Sequence, residues 1–330
     1  NADVLVKFCD ENVVKVWCEP TRNFARNYES FAVVKEDLGC SGVKIEEQAD
    51  AYLIKSSELQ VKVSKAEFRL TYLDNQGNVL CEGVDSGSLR WSNDEEVQVR
   101  HKLAPDEIFW GFGEKIENII KNHQKVVLWS TDYLGAGGEA YSAHENGEVG
   151  SYYSSNPQFI SSKGYSILFD NTARTVFDMG KTDSDVYSFG AMNPMPGGEL
   201  CYYFISDRNV EKSLSVKTIL TSLTDLIGKS FFAPYWALGN FQCHYGYWED
   251  DVRRVANEYQ NRGIPLDGIM VDLEYDQNQC SPSTVNTTRY PDFEGMNEEL
   301  ERKNLKFGVI NDPNISNQTT EPADYAEGSQ

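Results

Sequence analysis

The sequence predicts a chain in two parts, an antiparallel β-sandwich of many short strands followed by the opening units of a parallel α/β domain. Three observations carry this expectation. From Val14 to about Ser230, short runs rich in Val, Tyr and Phe are separated by Gly, Asn and Asp, the texture of strands joined by turns. Beyond Gly228 the texture changes, and apolar residues take up helical spacing. The order there is strand, helix, strand, helix, strand, which implies right-handed parallel crossovers. The boundary is placed between residues 1–228 and 229–330.

In the first part, residues 52–55, 59–63 and 68–73 read as strands. Asp74-Asn75-Gln76-Gly77-Asn78 reads as the turn of a hairpin returning through Val79-Leu80. Residues 165–169, 175–179 and 200–205 continue the series. Gly111-Phe112-Gly113-Glu114-Lys115 follows Phe109-Trp110 within this β region and reads as a sandwich turn. In the second part, residues 236–241 read as a buried strand. Val252, Val255, Ala256 and Tyr259 give residues 250–262 the spacing of an amphipathic helix, ended by Gly263 with Pro265 just beyond. Ile269-Met270-Val271 reads as a second strand, residues 294–304 as a second helix and Phe307-Gly308-Val309-Ile310 as a third strand. Such units complete either a doubly wound sheet or a (β/α)8 barrel. A barrel takes about 250 residues, so this chain would hold its first three strands.

Composition narrows the function. Hydrophobic residues make up 40% and charged residues 25%, which is globular rather than disordered. The 51 acidic against 30 basic residues give a net charge of −21, which would repel a nucleic-acid backbone or an anionic membrane surface. A neutral or cationic partner is expected. No run of about 18 apolar residues occurs, and Asn1-Ala2-Asp3 opens without a signal-peptide pattern. A soluble chain is expected, with its compartment open. The seven cysteines are scattered without a C-x-x-C pair and read as buried free thiols. The four histidines lack metal-ligand spacing, so neither a metal nor a cofactor is expected. Dinucleotide, P-loop and serine-hydrolase motifs are absent, and the sequons at Asn286, Asn314 and Asn317 arise easily by chance.

Ligands of parallel α/β domains bind at the C-terminal strand ends, and three stretches qualify. The first strand leads into Gln242-Cys243-His244-Tyr245-Gly246-Tyr247-Trp248, whose rings suit a sugar face or a pocket wall; their alternative is packing between domains. The second leads into Asp272-Leu273-Glu274-Tyr275-Asp276, where strand alternation would point three carboxylates the same way, toward a wet cleft, a cation or hydroxyl groups, or simply make a solvated strand end. The third leads into Asn311-Asp312-Pro313, with Asp312 at the rim.

Six segments in order resemble glycoside hydrolase family 31, the α-glucosidase type. They are Glu107-Ile108-Phe109-Trp110-Gly111-Phe112-Gly113-Glu114-Lys115; Phe169-Asp170-Asn171-Thr172-Ala173-Arg174-Thr175; Pro234-Tyr235-Trp236-Ala237-Leu238-Gly239 with Tyr245-Gly246-Tyr247-Trp248; Ile264-Pro265-Leu266-Asp267 running on to Asp272; Arg289-Tyr290-Pro291-Asp292; and Asn311-Asp312-Pro313-Asn314-Ile315-Ser316. The resemblance implies a β-sandwich of galactose-mutarotase type followed by a (β/α)8 barrel. It implies that Asp132 reaches the barrel mouth on a sandwich loop and that Tyr245 covers a sugar. Asp272 would bind hydroxyls of the non-reducing-end sugar beside Leu273, while Ile310 and Asp312 line the same pocket. Both catalytic aspartates would lie on later barrel strands, beyond Gln330, supplied by the remaining part of the enzyme or a second chain. Asp272 and Glu274 are therefore not taken as the catalytic pair, although alternate strand residues stand roughly 7 Å apart. An α-glucoside or α-glucan is the implied substrate, cleaved with retention. The alternatives are an α-1,4-glucan lyase or an α-glucosyltransferase of the same family, or a non-catalytic carbohydrate-binding module. The stretch from Asp272 to Cys280 departs from the family's DIDYMDxxxDFT pattern, so the resemblance does not by itself carry over the common glucosidase specificity.

Overall fold

The structure is a computed structural model that describes residues 2–19, 30–91, 96–115, 118–130, 148–149, 154–192, 200–207, 216–277 and 284–310. It divides into two units, Asn1–Lys229 and Ser230–Gln330. Among the described residues no helix is long and apolar enough to cross a membrane.

The first unit is built from three sheets. One has six strands in the order β1 (Asp3–Asp10), β2 (Val13–Glu19), β17 (Leu200–Ser206), β14 (Tyr165–Phe169), β13 (Ser155–Ser161) and β10 (Phe109–Gly113). The second runs β12 (Glu148–Val149), β11 (Lys125–Leu128), β15 (Arg174–Met179), β16 (Val186–Met192), β9 (Glu96–Lys102) and β8 (Leu89–Trp91). The third is a meander of β3 (Lys44–Glu47), β4 (Ala51–Lys55), β5 (Leu59–Ser64), β6 (Leu70–Asp74) and β7 (Val79–Glu82). Among the described residues of this unit the strands pair antiparallel, except β11 with β12. All three sheets feed one core, with Phe109, Phe159 and Phe204 meeting Phe177, Phe189 and Tyr72.

Why β17 reads as an unbroken apolar run is clear from its two faces. Leu200, Tyr202 and Phe204 enter that shared core, whereas Cys201, Tyr203 and Ile205 enter a second one. The second core is closed by helix α1 (Val216–Ile227) through Ile219, Leu223 and Leu226. A strand covered on both faces has no reason to alternate. The helix itself falls in a stretch expected to be strand-like. Its Val, Thr and Ile residues weaken helix propensity, but the four- and three-residue steps from Ile219 to Leu223 to Leu226 put them on one stripe.

The hairpin expected at Asp74 forms between β6 and β7, with Gly77 at φ +88° and the Asp74 carboxylate accepting from the N–H groups of Gln76 and Asn78. The turn expected at Gly111 to Lys115 is corrected in its first half: Gly111, Phe112 and Gly113 lie within β10, and Glu114 and Lys115 follow it. The pairing with β13 shifts between Gly111 and Gly113, and φ is +136°, +72° and +75° at Gly111, Phe112 and Gly113. This bulge is what glycine supplies there, and it seats Phe112 in the core. The cysteines also need correction. Cys9, Cys18, Cys81 and Cys201 are buried free thiols, but Cys40 is half-buried and Cys243 exposed; Cys280 lies outside the described residues.

In the second unit, β18 (Phe241–His244), β19 (Gly268–Val271) and β20 (Lys306–Val309) pair in parallel and in chain order. Helices α2 (Glu249–Asn261) and α3 (Phe293–Arg302) make the two crossovers, burying Val252, Val255, Met296 and Leu300 against Ile269 and Val271. Gly263 ends α2 at φ +63°. Residues 236–241 do not form the buried strand expected of them. Tyr235–Leu238 is a 3-10 turn, closed by Ala237 N–H donating to the Pro234 carbonyl, and the strand begins only at Phe241.

Candidate site at the parallel strand ends

The register of the parallel sheet levels its C-terminal rim. His244 pairs with Val271, and Val271 with Val309, so Tyr245, Asp272 and Ile310 each stand one residue beyond the same row. The Ile310 N–H donates to the Val271 carbonyl at 3.0 Å, fixing the end of β20 beside the base of Asp272.

Tyr245 is 61% exposed and free to present a ring face. It sits on a turn completed by Gly246 at φ +92°, and the neighbouring rings are tied down. Tyr247 is buried, stacks on His244 with centroids 4.9 Å apart, and accepts from Gln242 at 3.2 Å; Gln242 in turn accepts from the Tyr259 hydroxyl of α2 at 2.7 Å. Trp248 lies under the Arg289 guanidinium, 4.6 Å from its ring, and its backbone N–H donates to the Asp251 carboxylate at the start of α2. Three adjacent aromatics thus have different positions: two braced, one open.

The carboxylates after β19 do not share a face. The Asp272 side chain accepts the Leu273 N–H at 2.8 Å and caps a 3-10 turn over Leu273–Tyr275, so the rotation per residue is about 120° rather than the strand's 180°. Asp272 and Leu273 stay half-exposed at the rim, whereas Glu274 and Asp276 are buried. Glu274 lies beneath the Tyr245 turn: a Cβ on Gly246 would stand 3.9 Å from Glu274 Oε1, and among the described residues that buried oxygen has no hydrogen-bond donor. Burial, with the nearby charges of Asp272 and Glu274, raises the Cys243 thiol pKa. Burial and then Glu274 push Tyr290 up to about 12. The rim is thus an acidic wall that presents the exposed Tyr245 ring and the half-exposed Asp272 carboxylate. Sugar hydroxyls suit such a wall, because a carboxylate accepts two of them while an aromatic covers the apolar ring face.

Of the residues expected here, the structure brings together Tyr245, Asp272, Leu273 and Ile310. Asp132 and Asp312 lie outside the described residues. The buried Glu274 was legible only as one member of a triplet; nothing in the spacing marked it as the member taken inside.

Residues 3–178 match the glycosyl hydrolase 31 N-terminal galactose mutarotase-like domain, and residues 230–330 match the glycosyl hydrolases family 31 TIM-barrel domain. The chain belongs to glycoside hydrolase family 31. Its parallel strands are therefore the opening of a barrel rather than of a doubly wound sheet. Alpha-glucosidase 2 of Bacillus thermoamyloliquefaciens is 30% identical over 98% of this chain, and the alpha-xylosidase XylQ of Lactiplantibacillus pentosus is 26% identical over 84%. A GH31 dextranase from Flavobacterium johnsoniae, solved with isomaltotriose, superposes with a TM-score of 0.83 at 32% identity over 99% of this chain. The chain spans 39% of the length of that α-glucosidase and 37% of the dextranase.

Proposed function

We propose that this family 31 chain forms part of a retaining α-glycoside hydrolase of α-glucosidase type acting on non-reducing-end α-glucosides. Residues 1–228 make the sandwich domain and residues 229–330 the first part of the catalytic barrel. Asp272 accepts hydrogen bonds from hydroxyls of the terminal sugar, Tyr245 covers its face, and Leu273 and Ile310 line the pocket; Asp132 and Asp312 join them. The nucleophile and the acid/base come from the remaining part of the enzyme, as a partner chain or as continuing sequence. The observation that supports this reading is the level rim, on which the exposed Tyr245 and the half-exposed Asp272 each stand one residue beyond paired strand ends.

The likeness to a dextranase solved with isomaltotriose favours including α-1,6-linked glucans among the substrates. The test is hydrolysis of p-nitrophenyl α-glucoside, maltose and isomaltotriose by the 330-residue chain alone and after mixing with the rest of its parent protein. Activity in the mixture alone is expected. Activity of the chain alone would show that its own carboxylates suffice, and silence of both would remove the hydrolase reading.

A further inference from the structure

We propose that the outward face of the second sandwich sheet binds an acidic oligosaccharide, one carrying uronate carboxylates, through residues of the first unit alone. Strand register assembles this face. Lys125 pairs with Asp178, Asp178 with Ser188, and Ser188 with Arg100, so these four side chains form one row across β11, β15, β16 and β9. Their chain neighbours Val126, Phe177, Phe189 and Val99 all point into the core, which turns the row outward.

The next row is Val176, Gly190, Gln98 and Arg90. Gly190 carries no side chain, and a Cβ there would stand only 2.4 Å from the Val97 carbonyl oxygen. The face is therefore hollow along its middle, and a groove of about 520 Å³ lies over it, within the size range of small-molecule sites. From Lys125 to Arg100 the row crosses three strand spacings, about 14 Å, the reach of a short oligosaccharide.

The charge of the groove opposes that of the chain. Arg90, Arg100, Lys125 and Arg174 face two carboxylates, Asp178 and Asp183, although the whole sequence carries −21. Lys125 approaches Asp178 at 3.9 Å, and Asp178 also accepts the N–H groups of Lys181 and Thr182. Among the described residues no carboxylate pairs with Arg90 or Arg100. A guanidinium fork matches a carboxylate in a plane, and Gln98 with Ser188, joined to each other at 3.3 Å, offers the amide and hydroxyl groups that sugar hydroxyls use. Anionic charge matches the two arginines, and a saccharide matches the polar, hollow floor.

Calorimetric titration of the 330-residue chain with trigalacturonic acid tests this, with maltotriose as the neutral sugar and citrate as an anion lacking a sugar. Saturable binding of trigalacturonic acid is expected, weakening about tenfold between about 20 and 200 mM salt. Arg100→Gln and Arg90→Gln are each expected to weaken it about tenfold while near-ultraviolet circular dichroism stays unchanged. Three results would each overturn the proposal: no saturable binding at low salt, wild-type affinity in both variants, or citrate binding as tightly as the trisaccharide. Because the readout is binding, activity of the barrel does not enter it.

Discussion

Deleting the Tyr165 hydroxyl is expected to cost more than deleting that of its neighbour Tyr187, and the cost should grow with pH. Tyr165 OH donates to Glu107 Oε1 at 2.6 Å and lies 2.8 Å from Tyr187 OH, which in turn contacts Cys81 Sγ at 3.0 Å. Ser161 donates to the same Glu107 oxygen. Tyr165→Phe keeps the ring stacked on Phe204, 5.0 Å between centroids, so only polar terms change. One hydrogen bond to a carboxylate is lost, and the net cost is about 2 to 3 kcal/mol. Tyr187→Phe breaks only neutral contacts and should cost about 1 kcal/mol.

Burial raises the Glu107 pKa, against the lowering effect of the Ser161 and Tyr165 bonds. The folded state therefore holds this proton more tightly than the unfolded state does. The stability that Glu107 lends is present below the ordinary carboxylate range and is lost as pH rises through its raised folded value. Tyr165 limits that loss, so its deletion is felt most where Glu107 is charged. Urea unfolding of both variants at about pH 4 and about pH 8 measures the difference. A Tyr187→Phe cost equal to that of Tyr165→Phe, or a Tyr165→Phe cost independent of pH, would refute the reasoning.

His101 is fully buried, and burial lowers its pKa to about 3. Acid should therefore destabilise the sandwich progressively as pH falls from about 6.5, the unfolded value, and His101→Phe should flatten that slope in a melting series. Gly111→Ala puts a Cβ 2.5 Å from the Gln158 carbonyl at φ +136°; a loss of about 3 kcal/mol is expected on chemical unfolding. In the enzyme reassembled with its remaining part, Asp272→Asn keeps an oxygen for the Leu273 N–H but removes the charge. Its kcat/KM should fall about 100-fold with the melting temperature unchanged.

Much of the architecture was legible because it rests on periodicity and turn chemistry. The helix stripe from Val252 to Tyr259, the stop at Gly263 and the Asp74 hairpin follow from local rules, and they formed where expected. Two of the misreadings have a common cause: apolar runs and alternating charges do not reveal local hydrogen bonds. Trp236 to Phe241 looked like one strand, but the Pro234 carbonyl captures the Ala237 N–H and winds the chain into a 3-10 turn. Asp272, Glu274 and Asp276 looked like one face until the Asp272 side chain took the Leu273 N–H. The cationic groove escaped notice altogether, since Lys125, Asp178, Ser188 and Arg100 are adjacent only through pairing across four strands.

The pairing of β2 with β17, in which Cys18 meets Leu200, sets a timetable for synthesis. At about 5 to 20 residues per second, a ribosome needs roughly 10 to 40 s after making Cys18 before its partner exists. Through that interval β1 and β2 can zip into a hairpin but cannot enter their sheet, and the apolar side chains of β2 wait for cover. The β1–β2 hairpin is thus made early in the sandwich and enclosed late, so its apolar face is exposed longer in the nascent chain than in any equilibrium fluctuation of the finished sheet.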